Sequence, residues 1–221
     1  MGGGMELSVD DLGCRRAGRR VFAGVSFRAR AGRLTVLTGP NGVGKSSLLR
    51  VLAGLIPAEA GDARLDGASL AADPAAFQAR ALYVGHLDAV KPQMTVAENL
   101  EFWARLYGGG GVATALDAFG LSRIADLPAA CCSAGQKRRL GLARLMAVDR
   151  PLWLLDEPTV SLDIATVAAF ADMLRAHLGR GGLAVAATHV DLGVAEADAV
   201  RMTPAPADAV GEDAFLDGAW T

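Results

Sequence analysis

The sequence predicts an α/β fold, a parallel-sheet core preceded by an antiparallel β-layer and interrupted by a helical subdomain, and three observations predict it. Apolar runs at 152–155 and 183–187 are short and unbroken, and Leu34, Val36 and Leu37 make a third short apolar stretch, as strands covered on both faces require. The stretch at 34–37 and the run at 152–155 are each followed by apolar residues at helical spacing, Leu48, Leu49, Val51, Leu52 and Leu55 after one and a segment over 164–178 after the other. Between 95 and 148 strand signals cease, and Val96, Leu100, Trp103, Leu106 and Tyr107 recur on one helical face.

In chain order, residues 5–31 alternate apolar and polar, with Gly13, Gly18, Gly24 and Gly32 as punctuation, which predicts the antiparallel layer. The strand at 34–37 leads through a glycine-rich loop into a helix that ends near Gly54 and Pro57. A strand and turn are expected at 63–67, and a short strand at 81–84 closing at Gly85-His86. Helices are expected at 95–107, broken by Gly108 to Gly111, at 113–119 and at 134–148. The core resumes with the strand at 152–155, the helix at 164–178 and the strand at 183–187. The expected organisation is a single domain over 5–202. Its catalytic core and β-layer are 5–94 and 149–202, its helical subdomain is 95–148, and a Pro-, Ala- and Asp-rich tail over 203–221 is weakly ordered or packed peripherally.

With 221 residues, 52% of them hydrophobic, the chain fills one sizeable core. Its net charge is −2 and its longest basic run is Lys137-Arg138-Arg139, which gives sequence-independent nucleic-acid binding no electrostatic support. Three cysteines, Cys14, Cys131 and Cys132, have neither C-x-x-C nor zinc spacing and suit a reducing compartment. MGGGMELSVDD has no basic or apolar region of a signal peptide, and eighteen apolar residues never run unbroken, so a soluble, cytoplasmic chain is expected.

Gly39-Pro40-Asn41-Gly42-Val43-Gly44-Lys45-Ser46 matches G-x-x-x-x-G-K-[ST] between a strand and a helix. A polyphosphate held away from bulk water needs many N–H donors on one point and no side chains in the way. Glycines permit that approach, and the helix starting near Gly44 adds its unpaired N–H groups, including those of Lys45, Ser46 and Ser47, and its positive dipole end. Lys45 then reaches the β- and γ-phosphates, and the Ser46 hydroxyl ligates Mg²⁺. The strand at 152–155 ends in Asp156-Glu157. Two carboxylates there suit a nucleotide hydrolase, Asp156 holding Mg²⁺ through water and Glu157 acting on the attacking water.

Ser133-Ala134-Gly135-Gln136 opens a helix, and two readings of it stand. It is an ordinary serine N-cap, or a second phosphate-binding turn acting on the nucleotide of another copy. His189 follows an apolar strand where parallel sheets place ligands, and fits a γ-phosphate contact. His86 is a candidate contact to Mg²⁺-bound water, or a loop histidine.

Together these residues resemble the ATP-binding cassette (ABC) family, the nucleotide-binding subunits of membrane transporters, over residues 5–202. GPNGVGKSS resembles its Walker A motif, CSAGQ its signature, LWLLDE its Walker B motif, Ser161-Leu162-Asp163 its D-loop and His189 its switch histidine. The resemblance narrows to the branch serving cytochrome c maturation, on Tyr83-Val84-Gly85-His86, the segment 90–100, SAGQKRRLGLARL and PLWLLDEPTVSLD. Glutamine usually stands where His86 does, and histidine is familiar in that branch. The family's adenine-stacking aromatic is missing near position 16, leaving a guanidinium of Arg15 or Arg16, or Phe22, for that role.

The resemblance implies an ABC-type P-loop NTPase that hydrolyses ATP with Mg²⁺ and dimerises with a second copy. Residues 133–136 and Asp163 then meet the partner's nucleotide. It implies integral membrane permease partners of the cytochrome c maturation complex (CcmB- and CcmC-like), a haem chaperone as indirect partner, no nucleic acid, and a peripheral place on the cytoplasmic face of the bacterial inner membrane. The cargo work is haem export or release of a haem-loaded chaperone. Two alternatives are an ABC ATPase with another cargo or no membrane partner, and a small-molecule P-loop kinase, which leaves CSAGQ and Asp163 unexplained.

Overall fold

Alternation of polar and apolar residues makes residues 6–30 a long hairpin, β1 (Glu6–Arg16) and β2 (Arg19–Arg30). Its two-residue turn has Ala17 at φ 46° and Gly18 at 77°. Both are left-handed, the geometry whose twist matches the flanking strands. β3 (Leu34–Thr38) leads into α1 (Lys45–Leu52), and β4 (Ala60–Leu65) and β5 (Ala68–Ser69) then return to the hairpin to complete an antiparallel sheet ordered β2-β1-β4-β5. This computed structural model describes residues 4–85 and 88–205, so the readings made of His86 and of 206–221 lie outside the described residues.

The second sheet is parallel throughout, ordered β6-β7-β8-β3-β9, with β6 (Ala81–Val84), β7 (Leu152–Asp156), β8 (Leu183–Ala187) and β9 (Ala197–Arg201). Period-2 alternation explains why its central strands β7 and β8 read as near-continuous apolar runs: each face feeds a different core. Leu152, Leu154, Leu183, Val185 and Leu37 pack with the hairpin and α1, while Trp153, Leu155, Ala184 and Ala186 pack with the helices on the other side.

Those helices are α3 (Val96–Tyr107), α4 (Val112–Ala118), α5 (Ala134–Ala147) and α6 (Ile164–Gly179); α2 (Pro74–Gln78) is a single short turn. Capping boxes fix two starts, Thr95 with Glu98 on α3 and Ser133 with Gln136 on α5. Asn99, 1% exposed, bonds Lys91 N–H and the carbonyls of Lys91, Met94 and Thr95, which ties the segment after β6 to α3.

Among the strands and α-helices, α2, β5 and β9 have no counterpart in the sequence expectation. α2 stands where none was expected, although Asp73 caps it and Pro74 is its first residue. β9 is an edge strand whose outer residues are exposed, so ADAVR lacks the apolar run that marks its neighbours. It is held instead by its ladder to β3 and by Arg33, whose Nε and Nη2 donate to the two oxygens of Asp198 at 2.7 and 2.9 Å.

Candidate active site

The C-terminal ends of β3, β6, β7 and β8 lie side by side, and the residues just beyond them form the site. After β3 the loop is drawn close to β9: a Cβ at Gly39, where φ is 137°, would stand 2.6 Å from the Met202 carbonyl oxygen. Gly44, φ 103°, is the residue before α1, and a Cβ there would press on Phe22 and Val21. No side chain caps α1 and its first turn holds no acid, so its N–H groups and dipole are uncompensated by the chain itself. Lys45 is 8% exposed, and its Nζ donates to the Gly39 and Pro40 carbonyls at 2.7 and 3.1 Å. A buried ammonium takes the nearest acceptors, and these are poor substitutes for phosphate oxygens.

The two carboxylates at the end of β7 have separate environments. Asp156, 3% exposed, accepts from Ser46 Oγ at 2.7 Å on Oδ1 and from the Tyr83 hydroxyl at 3.1 Å on Oδ2. Burial pushes the Tyr83 phenol up from its ordinary range, so it stays protonated as the donor. Glu157 is partly open. Its φ of 48° is uncommon for a non-glycine residue and costs on the order of 1 kcal/mol. Its N–H donates to the Ala187 carbonyl at 2.8 Å, and its own carbonyl accepts from Arg138 Nη2 at 2.6 Å. The Glu157 carboxylate lies 3.8 Å from His189 Nε2.

These groups enclose a cleft of about 330 Å³ lined by Val21, Asn41, Gly42, Gly44, Lys45, Ser46, Ser47, Glu157 and His189. Loop and helix-start amides, a lysine, a hydroxyl and an open carboxylate with a histidine beside it are therefore brought together from loops distant in sequence. The Ser46 and Asp156 oxygens are the hard donors Mg²⁺ prefers, and a hydroxyl with one carboxylate leaves the remaining positions to water and phosphate oxygens, as Mg²⁺ sites generally do.

Other expected site residues are elsewhere. Ser133, Ala134, Gly135 and Gln136 do not line this cleft; Ser133 and Ala134 are exposed at the start of α5. Asp163 is also outside it and caps α6, accepting from Thr166 N–H at 2.7 Å, a bond that holds its carboxyl below the usual range. Arg16 is exposed at the end of β1, opposite Arg19, and likewise does not line the cleft. Phe22 is fully buried beneath Gly44, which removes it as a stacking surface for a base. Sequence reasoning overlooked Val21, which lines the cleft one residue before the buried Phe22; the alternation of β2 carries that signal.

The family model described as ABC transporter matches residues 22–160, from β2 to just past Glu157. The chain belongs to the ABC transporter family. It is 54% identical over 198 residues to the cytochrome c biogenesis ATP-binding export protein CcmA of Paracoccus denitrificans, covering 90% of this chain and 89% of that one. It is 52% identical to the protein of the same name from Nitrobacter winogradskyi, over 86% and 95% of the two chains. A solved structure described as the ATP-binding subunit of an ABC transporter superposes with a TM-score of 0.75 at 24% identity, over 83% of this chain and 79% of that one. This ABC subunit is thus an ATP-binding protein of the CcmA group with the ATPase fold of its family. Among its described residues, no helix is long and apolar enough to cross a membrane.

Proposed function

We propose that two copies of this ABC ATPase associate head to tail, each ATP lying between the phosphate-binding loop of one copy and the Ser133–Gln136 turn of the other. One observation carries this reading: the cleft has loop, lysine and carboxylate on its own side but no residue of 133–136. The exposed turn at the start of α5 is free to face a partner.

Within such a sandwich Lys45 exchanges its loop carbonyls for the β- and γ-phosphates. Amides of residues 41–47 hold the triphosphate, and Glu157 accepts a proton from the attacking water as His189 contacts the γ-phosphate. Ser46 and Asp156 are the residues that would hold Mg²⁺, which spreads the charge of the phosphate oxygens when bound. Loss of the γ-phosphate removes contacts shared by both copies, so hydrolysis releases the dimer and delivers work to an attached membrane complex. The names of the relatives support cytochrome c biogenesis as the setting. The partners we propose there are CcmB- and CcmC-like membrane proteins, with a haem chaperone as indirect partner and a peripheral place on the inner membrane. Haem export or chaperone release is then the work done.

Capture of the full chain from detergent-solubilised bacterial membranes tests this function. Integral membrane polypeptides that co-purify, with ATP turned over to ADP and free phosphate, are expected. Capture of the ATPase alone, or a phosphorylated small molecule in place of free phosphate, would overturn it.

A further inference from the structure

A single buried guanidinium connects three parts of the molecule that the reading above treats separately. Arg138, 5% exposed on α5, donates from Nη1 to the Gly85 carbonyl at 2.8 Å and to Asp88 Oδ1 at 3.0 Å, and from Nη2 to the Glu157 carbonyl at 2.6 Å. Gly85 ends the β6 segment, Asp88 belongs to the segment leading to α3, and Glu157 is the open carboxylate of the cleft. α5 lies hard against that second segment, since a Cβ on Gly141 would stand 3.1 Å from the Asp88 side chain.

Glu157 needs this support. At φ 48° its backbone is held in a region that non-glycine residues leave readily; its N–H is anchored to Ala187 on the core side, and its carbonyl accepts from Arg138 on the helical side at 2.6 Å and, at the longer distance of 3.4 Å, from Val160 N–H. The Arg138 anchor belongs to the helix whose first turn is Ser133-Ala134-Gly135-Gln136. Five residues of α-helix separate Ser133 from Arg138, about 7.5 Å of stiff rod, so a displacement of the turn reaches the guanidinium undiminished.

We propose that Arg138 is a positioning residue that sets the Glu157 carboxylate according to where α5 stands. Docking of residues 133–136 on a partner's nucleotide then aligns the general base in the copy that supplies the turn. Arginine suits this place because its bonds leave from two nitrogens held a fixed distance apart, Nη1 toward Gly85 and Asp88 and Nη2 toward Glu157, whereas a lysine ammonium gathers its donors on one atom. This proposal rests on the role given to Glu157.

The test is steady-state ATP hydrolysis by the full chain carrying Arg138→Lys or Arg138→Gln, each also combined with Glu157→Gln. Both single variants are expected to keep KM for ATP within about twofold while kcat falls about ten- to a hundredfold, as a small misplacement of a reacting group does. In the Glu157→Gln background the same changes are expected to lower the residual rate less than twofold, because Arg138 acts through that carboxylate. Either folded variant decides the matter. A folded Arg138 variant with wild-type kcat, or a loss that multiplies unchanged with that of Glu157→Gln, overturns the positioning role and leaves the Glu157 reading intact. Wild-type hydrolysis by Glu157→Gln alone instead overturns the Glu157 reading.

Discussion

At the scale of single residues, the site separates binding from chemistry, and paired substitutions exploit this. Lys45 is buried with its ammonium on loop carbonyls, so its positive charge is already desolvated and ready for phosphate. Lys45→Ala is expected to abolish detectable ATP binding in titration calorimetry, and unchanged affinity would remove the loop from the phosphate site. Glu157→Gln is expected to bind ATP as the wild type does but hydrolyse it about 10³-fold more slowly, about 4 kcal/mol of barrier. Phosphate release at the wild-type rate would show that another group handles the water. The residues of this cleft were legible because their chemistry demands a narrow choice of side chain: glycines for close approach, a lysine and hydroxyl beside them, carboxylates at a strand end. What the sequence concealed was partnership. Nothing in it indicated that Tyr83 and Arg138 hold Asp156 and the Glu157 peptide, since both bonds join residues far apart in the chain.

At the scale of elements, strands and helices with strong periodicity were legible and those held by polar contacts were not. β8 runs over the residues expected of it, 183–187, because five apolar residues between turns admit few alternatives. β9 escaped notice because Asp198 and its neighbours look like loop, and the groups that give them a place, the β3 ladder and Arg33, lie about 165 residues earlier. α6 also carries an element-scale consequence. His177 is 5% exposed, stacks on Trp153 with ring centroids 3.7 Å apart, and has Nε2 3.3 Å from the Leu183 carbonyl. Burial drives its pKa down from 6.5 to about 4. The unfolded chain therefore binds a proton below about pH 6.5 that the folded chain refuses until about pH 4, and stability falls as pH drops through that window. Urea unfolding is expected to show a loss of about 2 kcal/mol from this residue between about pH 7.5 and about pH 5. His177→Phe should shrink the pH slope by that amount, and an undiminished slope would mean that His177 does not titrate this way.

At the scale of the whole molecule, two sheets and a helical layer place the two parts of the proposed site on one chain without joining them. The parallel sheet presents its loop and the Glu157 carboxylate in one cleft, with Asp156 buried behind Ser46, and α5 presents its capped turn outside it. The layer architecture was legible, since apolar runs, helical spacing and the glycine-rich loop are each local signals. That the turn acts away from its own cleft was one of two readings the sequence left open, because distance across a fold is set by packing rather than by sequence order. This separation is the basis for the second copy. Light scattering of Glu157→Gln with ATP and Mg²⁺, beside the same chain carrying Ser133→Arg, measures it most directly. The account predicts a particle of twice the chain's mass that forms only with ATP and is lost with Ser133→Arg; a single-chain mass with ATP bound, or a dimer indifferent to Ser133→Arg, would contradict it.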